Sequence, residues 1–190
     1  MVVLVAAHNA FNRRWYGSIP QHRRVAGAML NLLFGGALLA TMLVLLLSSV
    51  LVSRTVFGFL GQEGGATARQ VHLAAAHWAV LILSIHLGMR WPLIMQTVRG
   101  QLCLAPHNRM RTAALRLLTA TIALYGVHIS STMVFGSKLF LIDVMDMWDF
   151  NGEAMAFFLN FGSIMGLYIT LSHYTTLRLR GRAHSAGRET

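Results

Sequence analysis

The stretch RQVHLAAAHWAVLILSIHLGMRW, from Arg69 to Trp91, decides how this chain is read. Between Arg69 and Arg90 no residue carries a formal charge, and a run of about 20 such residues crosses the hydrocarbon core of a bilayer as a helix. His72 and His86 stand inside it, fourteen residues apart. Fourteen steps of about 100° come to roughly 320° modulo a turn, so both imidazoles fall on one face. At about 1.5 Å per residue they are separated by roughly 21 Å along the axis, one near each side of the membrane. Titratable side chains at such depth are costly and usually functional. Two histidines on one face at two depths suit two stacked haems, each taking one axial imidazole from this helix. The expectation is a b-type membrane cytochrome.

Composition agrees with a membrane chain. Of 190 residues 55% are hydrophobic and only 12% charged, the profile of a polytopic helical membrane protein rather than a soluble domain. A net charge of +10 would suggest nucleic acid in a soluble protein. Here the arginines cluster between apolar runs, where they set orientation and meet anionic headgroups, so no nucleic-acid partner is expected. Cys103 is the only cysteine, which leaves no internal disulfide, thiolate cluster or Cys-x-x-Cys-His attachment site. Any haem is therefore held non-covalently.

Working outward, the fold class expected is all-α: a polytopic transmembrane bundle of four full spans plus a partial N-terminal helix, one domain over residues 1–190. The opening MVVLVAAHNAFN, residues 1–12, is apolar but too short to span and lacks the basic start of a signal peptide. It reads as the second half of a membrane helix. Spans are expected over 25–52, 70–91, 117–137 and 154–177. Gly35, Gly36, Ser48 and Ser49 in the first permit close helix approach, and Pro92 bends or ends the second. The tail 178–190, RLRGRAHSAGRET, is basic and expected to be disordered.

Charge sets the orientation. Arg13, Arg14, Arg23 and Arg24 fill the first connection, Arg99, Arg109 and Arg111 the third, and Arg178, Arg180 and Arg182 open the tail. If every apolar run crosses once, these segments share one side, and the positive-inside rule makes it cytoplasmic. The chain is then a multi-pass protein of the inner (cytoplasmic) membrane with its C-terminus in the cytoplasm. Asp143, Asp146 and Asp149, three residues apart with apolar residues between, fall on the other side. They read as the wet face of a short interfacial helix rather than a metal site. GQEGGATA is no phosphate loop, because it does not join a strand to a soluble helix. No Ser/His/Asp or paired-carboxylate constellation makes a catalytic case.

This topology ranks the histidines. The partial helix and the histidine-bearing helix run in the same direction, so His8 lies level with His86 and can face it across one haem. The residue facing His72 would fall about fourteen positions before His8, where this chain has none. His173 competes as a weaker partner for His86. His77 lies about 140° round the helix from His72 and is expected to be structural or on the surface. His128 is mid-span, suited to a buried hydrogen bond or a quinone contact. His22, His107 and His184 sit among basic segments and are expected to be solvated.

HNAFNRRWYGS, LLSSVLVSRTVFGFL, RQVHLAAAHWAVLILSIHLGMRW and FFLNFGSIMGLYITLSHY together resemble the flavinylation-associated cytochrome family. The likeness covers most of the chain and is strongest from His8 to Trp91. The family looks like small integral cytochromes b that pass electrons across the membrane to extracytoplasmic flavoproteins. Its histidine positions match His8, His72 and His86. Family members carry an earlier histidine in the first bundle helix and a preceding membrane helix, so the resemblance implies a chain shortened at its N-terminus. It also implies one haem b, or two if the missing ligand is supplied. Arg90-Trp91 stands where relatives often have His-Trp, and Arg90 suits a haem propionate or a headgroup but not iron.

The expected function is a one-electron relay from quinol or a cytoplasmic donor, past His86 and His72, to an extracytoplasmic flavin-binding protein. Membrane lipid and quinone are the other expected partners. The chain reads as a redox subunit rather than a self-sufficient enzyme. The alternative is a haem-free membrane scaffold or transporter-like subunit whose histidines bond only within the bundle.

Overall fold

The structure, a computed structural model, describes residues 26–53, 65–101, 109–142 and 152–186, together with Ala7 and Ala10. Of these residues 93% are helical and none is in a strand. In chain order the helices are α1 (Ala26–Val52), α2 (Ala66–Gln101), α3 (Arg109–Thr132), the short α4 (Phe135–Leu139) and α5 (Ala154–Ala186). α1, α2, α3 and α5 are long and apolar enough to cross a membrane, so the chain is an all-α, multi-pass membrane protein. Helices are the form that satisfies every backbone group within its own segment, which lipid demands. Hydroxyls follow the same rule: Thr41, Thr119, Thr121 and Thr170 each donate to the carbonyl four residues back.

Several boundaries differ from those expected. α2 continues ten residues beyond Trp91, straight through Pro92. A proline costs the helix one N–H and crowds one turn, which does not outweigh a well-formed helix on both sides. α3 begins at Arg109, ahead of the apolar run, and stops at Thr132. Arginine is a good helix former whatever its hydropathy, so the polar end of a span is helical too. For the same reason α5 runs on to Ala186, and residues 178–186, expected to be disordered, are helical. α3 closes with the Met133 N–H on the Ile129 carbonyl and the Val134 N–H on the Ser131 carbonyl, Val134 taking a φ of 48°. The acidic residues Asp143, Asp146 and Asp149, and the partial helix around His8, lie outside the described residues.

The chain divides into two compact units, residues 1–82 with 137–144, and residues 83–136 with 145–190. In the first, Leu45 of α1 packs on Ala75 and Ala79 of α2, flanked by Met42 and Ala76. Alanines four residues apart put a small-residue stripe on α2, which lets α1 come close. Trp78 donates its indole N–H to the Leu139 carbonyl at 3.0 Å, tying α2 to the last residue of α4. In the second unit, α3 and α5 pack along one another. A methyl on Gly126 would collide with the Ser163 carbonyl, and one on Gly166 would come within 2.6 Å of the Ile122 side chain. Tyr125 donates to the Asn160 side-chain oxygen at 3.1 Å, and Ile164 is fully buried in this unit.

The outer surfaces are apolar. Leu33 and Leu47 of α1, Leu117 and Leu124 of α3, and Phe158 and Leu171 of α5 are all exposed. In water such a surface would drive aggregation; in a bilayer it is the face that meets lipid. Gly36 has open space where a side chain would stand, so close approach in α1 falls at the Leu45–Ser48 level and not at Gly36.

Candidate functional site

Each histidine takes its character from the helix that carries it. His72 stands half-buried on the first turns of α2, and its Nδ1 lies 2.9 Å from the Ser48 hydroxyl of α1. The direction of that bond follows from what else Ser48 does. Its hydroxyl oxygen lies 2.7 Å from the Val44 carbonyl and 3.2 Å from the Leu45 carbonyl, two acceptors for its single proton within its own helix. A serine back-bonded to its own helix has only lone pairs left to offer. With acceptors for its proton in its own helix, Ser48 is suited to meet His72 Nδ1 as an acceptor, the arrangement in which Nδ1 carries the proton. In a neutral imidazole the remaining nitrogen, Nε2, then carries a lone pair.

That is the state an iron-binding histidine needs. Metal-ligating imidazoles hold the metal on one nitrogen and donate the other N–H to a fixed acceptor, which sets both tautomer and ring direction. On this observation His72 fits axial ligation of a haem. Ser48 is 4% exposed, so water does not compete for the bond.

His77, five residues on, is buried rather than on the surface. Its Nδ1 donates to the Leu73 carbonyl at 2.8 Å, within its own helix. His86 is half-buried on α2, and Arg90 lies one turn beyond it, also half-buried. His8, expected level with His86, lies outside the described residues, as do His22 and His107.

Around Gly88 the second unit is too closely packed for any insertion. A side-chain carbon on Gly88 would lie 2.5 Å from the Ile169 carbonyl oxygen and 2.9 Å from Ser172 Cβ. Ser172 donates to the Ile85 carbonyl at 2.9 Å across the same contact. His173 belongs to this seam. Its ring lies against the backbone of Gly88, while its Nδ1 is buried with no hydrogen-bond partner among the described residues. Gly88 is the residue four before Pro92, whose carbonyl loses its intrahelical donor to the proline. The His173 ring, on a neighbouring helix, is placed beside this backbone, where a donor would repair a proline inside a membrane helix.

His128 departs from the first of its two expected roles. It is exposed on α3 rather than buried in a hydrogen bond, because Gly126 and Ile129 form the buried face of that helix. His128 precedes Ile129 by one residue and so points about 100° away from it.

Three features carried little sequence signal. Ser48 was visible only as a small residue permitting close approach, not as a partner for His72. Lys138, in α4, is 5% exposed although it is a charged residue. The seam glycines Gly88, Gly126 and Gly166 were hidden among 17 glycines, although Gly162 and Gly166 have small-xxx-small spacing.

Among the described residues no three His, Cys, Asp or Glu side chains gather as they would around a protein-ligated metal ion. An open recess on the first turns of α3 is lined by Arg109, Thr112, Ala113, Arg116 and Leu117, with no histidine. No protein-family model, no curated protein and no solved structure matches this chain.

Proposed function

We propose that this chain is a b-type haem-binding membrane protein that carries electrons across the membrane toward an extracytoplasmic flavin-binding protein. The observation that supports it best is the Ser48–His72 pair: a histidine within a span, its Nδ1 2.9 Å from a buried hydroxyl that has acceptors for its own proton within its helix. The resemblance of the chain from His8 to Trp91 to flavinylation-associated cytochromes gives the same reading its direction.

Under this reading His72 and His86 hold haem b from α2, with His8 as the ligand facing His86 and Arg90 as partner to a propionate. Haem b held by two imidazoles supplies a one-electron couple whose potential depends on ligand basicity, burial and hydrogen bonding. The chain's own contribution is to orient the imidazoles and to keep water from the couple with the apolar walls of the spans. The same reading puts the protein in the cytoplasmic membrane, its C-terminus in the cytoplasm, with quinone as a candidate donor.

A second reading, a haem-free scaffold or transporter-like subunit, is favoured by the seam at Gly88. There the His173 ring lies against the Gly88 backbone in a closely packed seam, a surrounding that suits a structural imidazole.

Purification in mild detergent, with a reduced-minus-oxidised spectrum, separates the two. A reduced protein showing b-type bands, weakened in both His72→Ala and His86→Ala, is the result expected. Protein that stays colourless after loading with haem would end the proposal. A His86→Ala variant with a full reduced spectrum would remove His86 as a ligand.

A further inference from the structure

The Ser48–His72 contact carries more than a place in the bundle. A hydroxyl and an imidazole 2.9 Å apart can bond in either direction, and the direction decides which ring nitrogen is bare. Ser48 has two acceptors for its one proton within its own helix turn, the Val44 and Leu45 carbonyls, 2.7 and 3.2 Å from its oxygen. Leu45, three residues before it, packs on Ala75 and Ala79, so the turn that holds the hydroxyl is itself anchored to α2. Two small alanines next to a histidine bring the helices close enough for the bond to form.

We propose that Ser48 is the positioning residue that fixes the tautomer of His72, keeping the proton on Nδ1 and the lone pair on Nε2. The consequence for iron rests on the haem reading above; the tautomer itself does not. An Nδ1–H held by an acceptor gives the ring more imidazolate character, so the bare nitrogen is a stronger donor and favours the ferric state. Loss of the acceptor weakens ligation and raises the potential.

The test uses the full chain, haem-free and then loaded, in one detergent. Proton–nitrogen correlation spectra of protein labelled with ¹⁵N-histidine report the tautomer, with the His72 signal identified by its absence in His72→Gln. Wild-type protein and Ser48→Thr, which keeps the hydroxyl, are expected in the Nδ1–H form. Ser48→Ala is expected to shift toward the Nε2–H form with its helix content unchanged. In haem titration, Ser48→Ala should lose about 10–100-fold in affinity, the range for removing the group that orients a metal-binding histidine. Its midpoint potential should rise, and Ser48→Thr should restore both.

A Ser48→Ala protein that keeps the Nδ1–H form, or binds haem with wild-type affinity and potential, overturns the proposal even where the wild type is a cytochrome. Wild-type protein in the Nδ1–H form that takes up no haem leaves the tautomer assignment standing and overturns the cytochrome reading instead.

Discussion

Replacing Gly88 by alanine adds one methyl group where α2 and α5 meet most closely, and the structure gives the size of the penalty. The new carbon would lie 2.5 Å from the Ile169 carbonyl oxygen, 2.9 Å from Ser172 Cβ and 3.1 Å from Ser172 Oγ. Carbon–oxygen contacts ordinarily settle at about 3.3–3.6 Å, so the two backbones must separate by roughly 1 Å. The Ile169 carbonyl is main chain and cannot rotate aside. The same separation stretches the 2.9 Å bond from Ser172 to the Ile85 carbonyl beyond hydrogen-bonding range. Overpacking of this kind costs about 1–3 kcal/mol, and an interhelical hydrogen bond in a membrane adds about 0.6 kcal/mol. Alanine gains about 1 kcal/mol over glycine in helix propensity. The net loss is about 2 kcal/mol, or roughly 4–8 °C in Tm for a chain of this size. Gly36→Ala is the control, since a methyl there meets nothing within 4 Å and only the propensity gain remains. Thermal unfolding of both variants in one detergent, followed by circular dichroism, is the assay. If Gly88→Ala melts with Gly36→Ala, the close approach of α2 and α5 is not as described and the reasoning fails.

Three further outcomes are expected. His173→Phe should destabilise by about 1 kcal/mol by orphaning the Gly88 carbonyl, and much less in a Pro92→Ala background, where residue 92 again supplies an N–H; additive costs in that double-mutant cycle would refute the repair of the proline. The sole cysteine, Cys103, lies in the connection expected on the cytoplasmic side, so a membrane-impermeant maleimide should label it in inverted vesicles and not in intact cells; the reverse pattern would invert the proposed topology. Val134 holds a φ of 48°, a conformation that costs a β-branched residue about 1–2 kcal/mol, so Val134→Gly should leave the melting temperature unchanged or raise it. A clear fall would mean that the valine side chain contributes packing worth more than the strain.

Much of this protein was written in local chemistry. Runs of about 20 uncharged residues can be only one thing in a bilayer, so the four spanning helices follow from composition alone, and α1 ends at Val52 as expected. The ends of α2, α3 and α5 were less legible. Hydropathy reports where lipid begins, whereas helix propensity and backbone bonding report where the helix stops, and arginine separates the two. Spacing placed His72 and His86 on one face of one helix, because 3.6 residues per turn is a property of the backbone. What spacing could not supply was the state of each ring. That His72 meets a serine of α1, that His173 lies against the backbone of Gly88, and that His128 faces outward all depend on which helices approach and at what depth. Those approaches were decided by Ala75, Ala79, Gly88 and Gly126. Small residues admit a neighbour without naming it, so only the assembled fold reveals which neighbour arrived.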